Sequence, residues 1–379
     1  MKVNVLGIGT TKFGELWNSS PRSLAREAMN EALSDAKKKA SQIDALFVGN
    51  MLADLLGNQA NLGSLFAESL GVSVPAFHIE GACASGGLAL HAAVNGILSG
   101  QYKTVMVLGV EKMTDCQPDE ITSGLMAAGT DEERLAGATF PGIYALMAQA
   151  YMQKYDISEE LLASVSVKNH YHGSFNSKAQ FQKPFSIEQI MKSTKVADPL
   201  KLLECSPVSD GAAAVVVSST NGNSKSVSIV ASEVGTDTLG LADRESFTTL
   251  NSVVSAAKRA YKKAKINPDD IDVAEVHDCF SIAEVLAVED LGFAKRGMGA
   301  RDIAEGKFTL GTGKMIVNPS GGLKACGHPV GATGIKQIAE IVTQLRGSAD
   351  KRQVKNAKIG LTHNVGGSGA VAAIHILKK

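Results

Sequence analysis

A chain of 379 residues is longer than one hydrophobic core usually organises, so two domains or two fused halves are expected. Lys+Arg and Asp+Glu are equal at 38 each, which excludes a whole-chain field for nucleic acid or an anionic membrane and leaves only a local basic patch for an anionic ligand. With 44% hydrophobic and 20% charged residues the composition is that of a globular enzyme, and no window approaches the roughly twenty apolar residues that span a bilayer.

In chain order, Val3-Asn4-Val5-Leu6-Gly7 reads as a strand directly after Met1, without a charged leader or an apolar signal core, which points to the cytoplasm. An amphipathic helix over 23–36 and a strand over 43–48 follow. Gly81-Ala82-Cys83-Ala84-Ser85-Gly86 is then a Gly-rich turn entering a helix, whose apolar face is Leu90, Val94, Ile97 and Leu98. A strand over 104–108 precedes a stretch from Glu111 to Cys205 that carries Met, His, Gln and Asn in place of a clean strand pattern. It reads as a lid or loop domain over the site, and a strand over 209–216 follows it.

The second half repeats the first: a strand at 227–230, a helix at 251–264 and a strand at 271–276. A turn, Gly327-His328-Pro329-Val330-Gly331, then enters a helix with Ile335, Ile338, Val342 and Leu345 as its face. Strands at 358–361 and 368–374 close it. The alternation of strands and helices implies an α/β protein with mostly parallel, buried sheets. The expected units are residues 1–110 with 206–224, the insertion 111–205, and residues 225–379.

The five cysteines are odd in number and widely spaced, which suits reduced thiols. Cys326-Gly327-His328 resembles half of a metal site, but no second half at zinc spacing follows, so metal binding is set aside. Cys83 stands where a strand passes into a helix, among small residues, and a helix N-terminus favours the nucleophilic thiolate. The plainer reading is a small buried cysteine. His328 holds the pseudo-symmetric position and is placed to approach Cys83; its plainer reading is a helix cap. His277-Asp278-Cys279-Phe280 adds an imidazole and a second thiol at a strand's carboxyl end, where parallel sheets place ligands, with Asp278 reading as a turn or cap residue. The Gly-rich turn His363-Asn364-Val365-Gly366-Gly367-Ser368-Gly369 brings backbone amides to the same rim.

These motifs, with Asn318-Pro319-Ser320-Gly321-Gly322 through Gly327 to Gly334, resemble the thiolase family over essentially the whole chain. Lys168-Asn169-His170-Tyr171-His172-Gly173, Ala179-Gln180-Phe181 and Cys205 to Ala213 are similar to its archaeal and sterol-carrier-protein-type branch. The resemblance implies the thiolase fold: two pseudo-symmetric βαβαβαββ halves with central mixed five-stranded sheets in αβαβα layers, plus an inserted loop domain. It implies reversible Claisen condensation of two acetyl-CoA to acetoacetyl-CoA and CoA, or thiolytic cleavage of short-chain 3-ketoacyl-CoA. No cofactor is implied beyond coenzyme A as carrier.

The resemblance further implies that Cys83 takes the acyl group, with its own amide and that of Val365, beside Gly366, cradling the oxyanion. His328 activates Cys83 and donates to the enolate oxygen. His277 stands where commoner members have an asparagine, Ser206 where a serine touches pantetheine, and Phe280 narrows the acyl site towards short chains. Commoner members place the acid/base cysteine where this chain has His363, so Cys279 or His363 takes that role. Implied partners are acyl-CoA, a second or further copies of the chain as homodimer or homotetramer, and a complex with hydroxymethylglutaryl-CoA synthase and a small zinc-containing OB-fold bridging protein. The end at Lys379 implies no fused lipid-transfer domain. Competing readings are a broader-chain thiolase, a ketosynthase or synthase of the same fold, and a non-catalytic partner subunit.

Overall fold

The computed structural model describes residues 2–220 and 226–379; Met1 and the expected boundary at 224/225 lie outside the described residues. The first half comprises β1 (Val3–Thr10), α1 (Pro21–Ala36), β2 (Ala45–Gly49), α2 (Ala53–Gly57), α3 (Leu62–Leu70), β3 (Ala76–Ile79), α4 (Ser85–Leu98) and β4 (Thr104–Glu111). The intervening stretch is largely helical: α5 (Pro118–Met126), α6 (Asp131–Leu135), α7 (Phe140–Tyr155), α8 (Glu159–Gly173) and α9 (Ile187–Lys192). A small hairpin of β5 (Lys195–Ala197) and β6 (Leu200–Lys201) ends it, and β7 (Gly211–Ser218) returns to the first half. The second half is β8 (Val227–Thr236), α10 (Asn251–Ala264), β9 (Val273–Glu275), α11 (Ser281–Asp290), α12 (Gly299–Ala304), β10 (Ile316–Val317), α13 (Gly322–Cys326), α14 (Val330–Arg346), β11 (Ile359–Gly366) and β12 (Val371–Lys378).

The strands form one ten-stranded sheet in the order β10-β9-β11-β12-β8-β1-β7-β4-β2-β3. Its two ends are the same five-stranded arrangement, joined where Val3–Val5 of β1 pairs with Val227–Ile229 of β8. The sheet is mixed rather than mostly parallel: β2 is parallel to β3 and β4, and β9 to β10 and β11, whereas β7 and β12 run antiparallel to their neighbours. β12 follows β11 by direct reversal and β7 returns antiparallel to β4 after the helical insertion, so alternation overstated the parallel character.

Local chemistry starts the helices where periodicity places them. Ser20 caps α1, its side chain accepting from the Ser23 amide, with Pro21 in the first turn. The face Ile335, Ile338, Val342 and Leu345 of α14 is buried, as are Leu90, Val94 and Ile97 of α4, but Leu98 is exposed because the last residue has turned off the stripe. The helices α4 and α14 pack between the two halves. Their backbones approach through glycine: a Cβ on Gly86 would lie 2.7 Å from the Gly331 oxygen, and one on Gly334 would lie 2.3 Å from the Gly87 nitrogen. That close crossing brings the first turns of both helices together, which sets the site. Lys336, Glu340 and Gln344 of α14 are buried polar residues, and Lys336 is paired to Glu275 at 2.9 Å. Among the described residues no helix is long and apolar enough to cross a membrane.

Candidate active site

Cys83 is presented on an elbow between β3 and α4. Ser85 Oγ accepts from the Gly81 amide at 3.0 Å and donates to the Ala82 carbonyl at 2.6 Å, and Ala82 is held at φ 51, a left-handed conformation that strains a residue with a Cβ. Asn364 Nδ2 fixes the Cys83 carbonyl at 2.9 Å from the opposite half. The thiolate expected at a helix start is not favoured in the resting site. Burial pushes the Cys83 thiol up to about 12, the amides of Gly367 and of Cys83 itself offset this only in part, and the Glu111 carboxylate adds to it.

His328 follows Gly327 and precedes α14. Its amide donates to Ser209 Oγ at 3.0 Å, and its Nδ1 lies 2.7 Å from Thr333 Oγ1. The Thr333 hydroxyl proton goes to the Pro329 carbonyl, 3.0 Å away, so Oγ1 accepts from His328 Nδ1–H and Nε2 carries the lone pair. The ring bonds a side chain and caps no backbone amide, unlike a helix-capping histidine. Burial holds His328 down at about 4, leaving the imidazole neutral and able to take a proton.

The loop after β9 supplies the remaining groups. Asp278 is the turn residue expected: its carboxylate accepts from the Leu323 amide at 2.7 Å and from Asn169 Nδ2 at 2.7 Å, and Lys324 Nζ donates to its carbonyl at 2.7 Å. Lys168 pairs with Glu284 beneath it at 3.0 Å. Thus the Lys168-Asn169 motif of α8 anchors the loop that carries His277 and Cys279. The Ser206 amide donates to the Cys279 carbonyl at 2.8 Å, which ties the same loop to the end of the insertion.

These segments meet at one cavity of about 550 Å³ lined by Cys83, Cys279, His277, His328, Phe280 and Ser206. The His277 and His328 rings are edge to face with centroids 5.0 Å apart. Cys279 is close enough to Cys83 for a charge on one to raise the other, although burial dominates its upward shift. The thiol of Cys83 and a nitrogen from each of His277 and His328 lie within 4.8 Å of one another, a spacing that would also suit a cation. Sequence spacing had no means of showing that set, because its members come from three distant segments.

An amide turned towards the Cys83 thiol is that of Gly367. Val365 and Gly366 end β11 beside it, opposite Ala372 and Val371. His363 does not line the cavity: it is buried, its Nδ1 accepts from the His277 amide at 3.1 Å, and burial holds it at about 3. It therefore supports the His277 backbone through Nδ1, while its Nε2 is buried without a hydrogen-bond partner among the described residues.

Sequence reasoning also missed Tyr144, on α7 of the insertion. Its hydroxyl donates to the Gly367 carbonyl at 3.1 Å, its place beside Cys279 favours the thiolate there, and its ring packs on Phe280 with centroids 4.8 Å apart. Nothing in the pattern of α7 separates Tyr144 from a core tyrosine. Asn364 lies in the Gly-rich motif after His363, but its contacts needed the fold.

Residues 3–221 match the family description "Thiolase, N-terminal domain" and residues 234–379 match "Thiolase C-terminal domain-like". The chain is 48% identical to an acetyl-CoA acetyltransferase of Methanothermobacter thermautotrophicus, over 100% of this chain and 99% of that protein. It is 37% identical to human sterol carrier protein 2, over 98% of this chain and 71% of that protein. A solved structure titled "Ltp2-ChsH2(DUF35) aldolase" superposes with a TM-score of 0.86 at 25% identity, covering 100% of this chain and 97% of that one. On matches that run from one end of the fold to the other, the chain belongs to the thiolase family.

Proposed function

We propose that the chain is an acetyl-CoA C-acetyltransferase that condenses two acetyl-CoA to acetoacetyl-CoA plus CoA, reversibly, through an acetyl group on Cys83. The observation that carries this reading is the convergence of two thiols and two imidazoles on one cavity. His328 Nε2 takes the Cys83 proton as sulfur attacks the thioester carbonyl. Cys279 gives its proton to the departing CoA thiolate and becomes the base. It then removes an α-proton from the second acetyl-CoA, while His277 and the protonated His328 donate to the enolate oxygen. The enolate carbon attacks the acyl-Cys83 carbonyl, Cys83 leaves as thiolate, and His328 returns its proton. A thiol pushed up by burial suits this step, because its thiolate is a strong base matched to a weakly acidic carbon. Amides of Cys83 and Val365 stabilise the tetrahedral oxyanions, with the Gly367 amide beside the sulfur.

The complete set of groups weighs against a non-catalytic subunit. The test is a pair of variants. Cys83→Ala yields no acyl-enzyme by intact mass; Cys279→Ala acylates but fails in condensation and thiolysis, and normal thiolysis by it would remove Cys279 as the base. A second reading, a broader-chain thiolase, is favoured by the cavity volume and by apolar walls at Ile121, Leu125 and Phe140.

We also infer assembly with other chains. The edge strand β3 leaves one side unpaired, with Phe77 exposed, so a second copy pairing there gives a homo-oligomer. The cavity mouth is ringed by exposed Trp17, Val196, Leu202 and Val208, and its described lining includes Glu15 and Asp115 but neither lysine nor arginine. Such a rim suits a partner protein that covers apolar surface and supplies cations for the CoA phosphates, in keeping with the two-component title of the Ltp2 neighbour. The expected partners are the zinc-containing OB-fold protein and, through it, hydroxymethylglutaryl-CoA synthase. Five free cysteines suit a reducing compartment such as the cytoplasm.

A further inference from the structure

The two imidazoles at the site differ in what surrounds their Nδ1 atoms. His328 Nδ1 faces an acceptor, Thr333 Oγ1, as argued above. His277 Nδ1 faces Asn364 Nδ2 at 3.3 Å. The orientation of that amide is set by two backbone partners: Asn364 Oδ1 accepts from the Gly87 amide at 3.1 Å, and Nδ2 donates to the Cys83 carbonyl at 2.9 Å. A flipped amide would face donor to donor at Gly87 and acceptor to acceptor at Cys83, so Nδ2 is the nitrogen and its second N–H points to His277 Nδ1. Two donors cannot share that contact, so His277 Nδ1 is the acceptor and its proton sits on Nε2, the nitrogen left for the cavity.

We infer that Asn364 is a positioning residue that locks His277 as the Nε2–H tautomer, so that in the resting site the paired rings meet the first thioester with opposite polarity, His328 as acceptor and His277 as donor, and His277 is already a donor when the enolate forms. The clamp reaches across the molecule, since Asn364 lies on β11 and its backbone partners on α4 and its elbow. It holds the Cys83 carbonyl and the His277 ring with one amide, and so couples the nucleophile's elbow to the donor that serves the enolate. It also bears on the metal-like spacing of Cys83, His277 and His328. A cation there would need the His277 Nε2 lone pair, and supplying it would break the bond to Asn364.

The inference rests on the proposed enolate chemistry, and the test separates the two. In protein labelled with ¹⁵N-histidine, with His277 assigned by its disappearance in His277→Asn, the His277 resonances are expected to show a protonated Nε2 and a bare Nδ1. In Asn364→Asp the carboxylate accepts from Nδ1, so the proton moves to Nδ1 and the cavity loses a donor. Condensation by pre-acetylated enzyme then falls by about 10²–10³-fold, the usual loss for one oxyanion donor, beyond whatever the lost bond to the Cys83 carbonyl takes from acetyl-Cys83 formation. A wild-type His277 protonated on Nδ1 would overturn the inference, as would an Asn364→Asp protein that keeps the wild-type tautomer or loses both half-reactions equally. Should Asn364→Asp fail to fold, Asn364→Ala replaces it: the unclamped ring must then populate both tautomers, and a single Nε2–H form there overturns the inference too. Failure of wild type to form acetyl-Cys83 would instead sink the proposed function and leave the tautomer result standing.

Discussion

Replacing Tyr144 with phenylalanine removes one oxygen and keeps the ring that packs on Phe280, so it isolates a hydrogen bond from the packing around it. In the resting site the phenol proton goes to the Gly367 carbonyl at 3.1 Å, and Cys279 is near enough for the phenol to favour its thiolate. When Cys279 ionises, the phenol can turn and donate to the thiolate; Lys324 is the other group that favours that charge. A hydrogen bond to a charged group is worth about 1.5–3 kcal/mol, which corresponds to roughly 10–150-fold on any step that passes through the Cys279 thiolate. Acylation of Cys83 retains the Gly367 and Cys83 amides and is expected to slow much less. The assay compares acetyl-enzyme formation by intact mass with single-turnover condensation and thiolysis, across pH. Equal losses in both half-reactions, or condensation and thiolysis at wild-type rates, would refute this account of Tyr144.

His328 is held at about 4 by burial, below the ordinary value of 6.5, so its lone pair persists to lower pH than in a free histidine. Acetyl-enzyme formation should therefore be level from about pH 5 upward and fall near pH 4; a midpoint near 6.5 in a folded protein, checked by circular dichroism, would contradict the desolvated site. Gly334→Ala puts a Cβ 2.3 Å from both the Gly87 nitrogen and Asn364 Oδ1. It is expected to destabilise by at least the 1–3 kcal/mol or so of ordinary overpacking and to impair condensation, and wild-type urea stability would count against the close crossing. Rates on acetoacetyl-CoA and on a long-chain 3-ketoacyl-CoA separate the two readings of chain length, and the narrowing by Phe280 predicts that the short substrate is faster.

Much of the scaffold was legible because it rests on local signals. Helix α10 covers Asn251–Ala264 as its periodicity implies, and α1 begins near its Ser20-Pro21 start signal. The repeat located the elbows at Cys83 and His328, since glycines before a helix mark where backbones must approach. Charge state and donor direction were not legible in the same way. A helix start argues for a thiolate at Cys83, yet the depth of the cavity reverses that, and depth is a property of the assembled halves and the insertion. The Gly-rich motif reads as one long turn, whereas antiparallel pairing with β12 extends β11 to Gly366.

Duplication explains why two helix starts face each other, but the chemistry is carried by places where the halves differ. The turn after β9 bears His277 and Cys279, whereas the matching turn after β2 bears Asn50, Met51 and Leu52, whose nitrogens all bind the buried Glu111 carboxylate. The same turn thus builds structure in one half and chemistry in the other. Counting from the strand starts, the sixth residue of β4 is Gly109 and that of β11 is Asn364. Gly109 leaves room for the Gly331 carbonyl, 2.4 Å from where its Cβ would be, while Asn364 reaches over Gly87 and Gly334 to Cys83 and His277. An exact repeat would have a glycine at both positions, with a nucleophile but nothing to polarise the second imidazole. Specialising one copy of a duplicated crossing is therefore sufficient to turn a packing contact into an acid/base pair, and in this chain the side chain that does so is an uncharged amide.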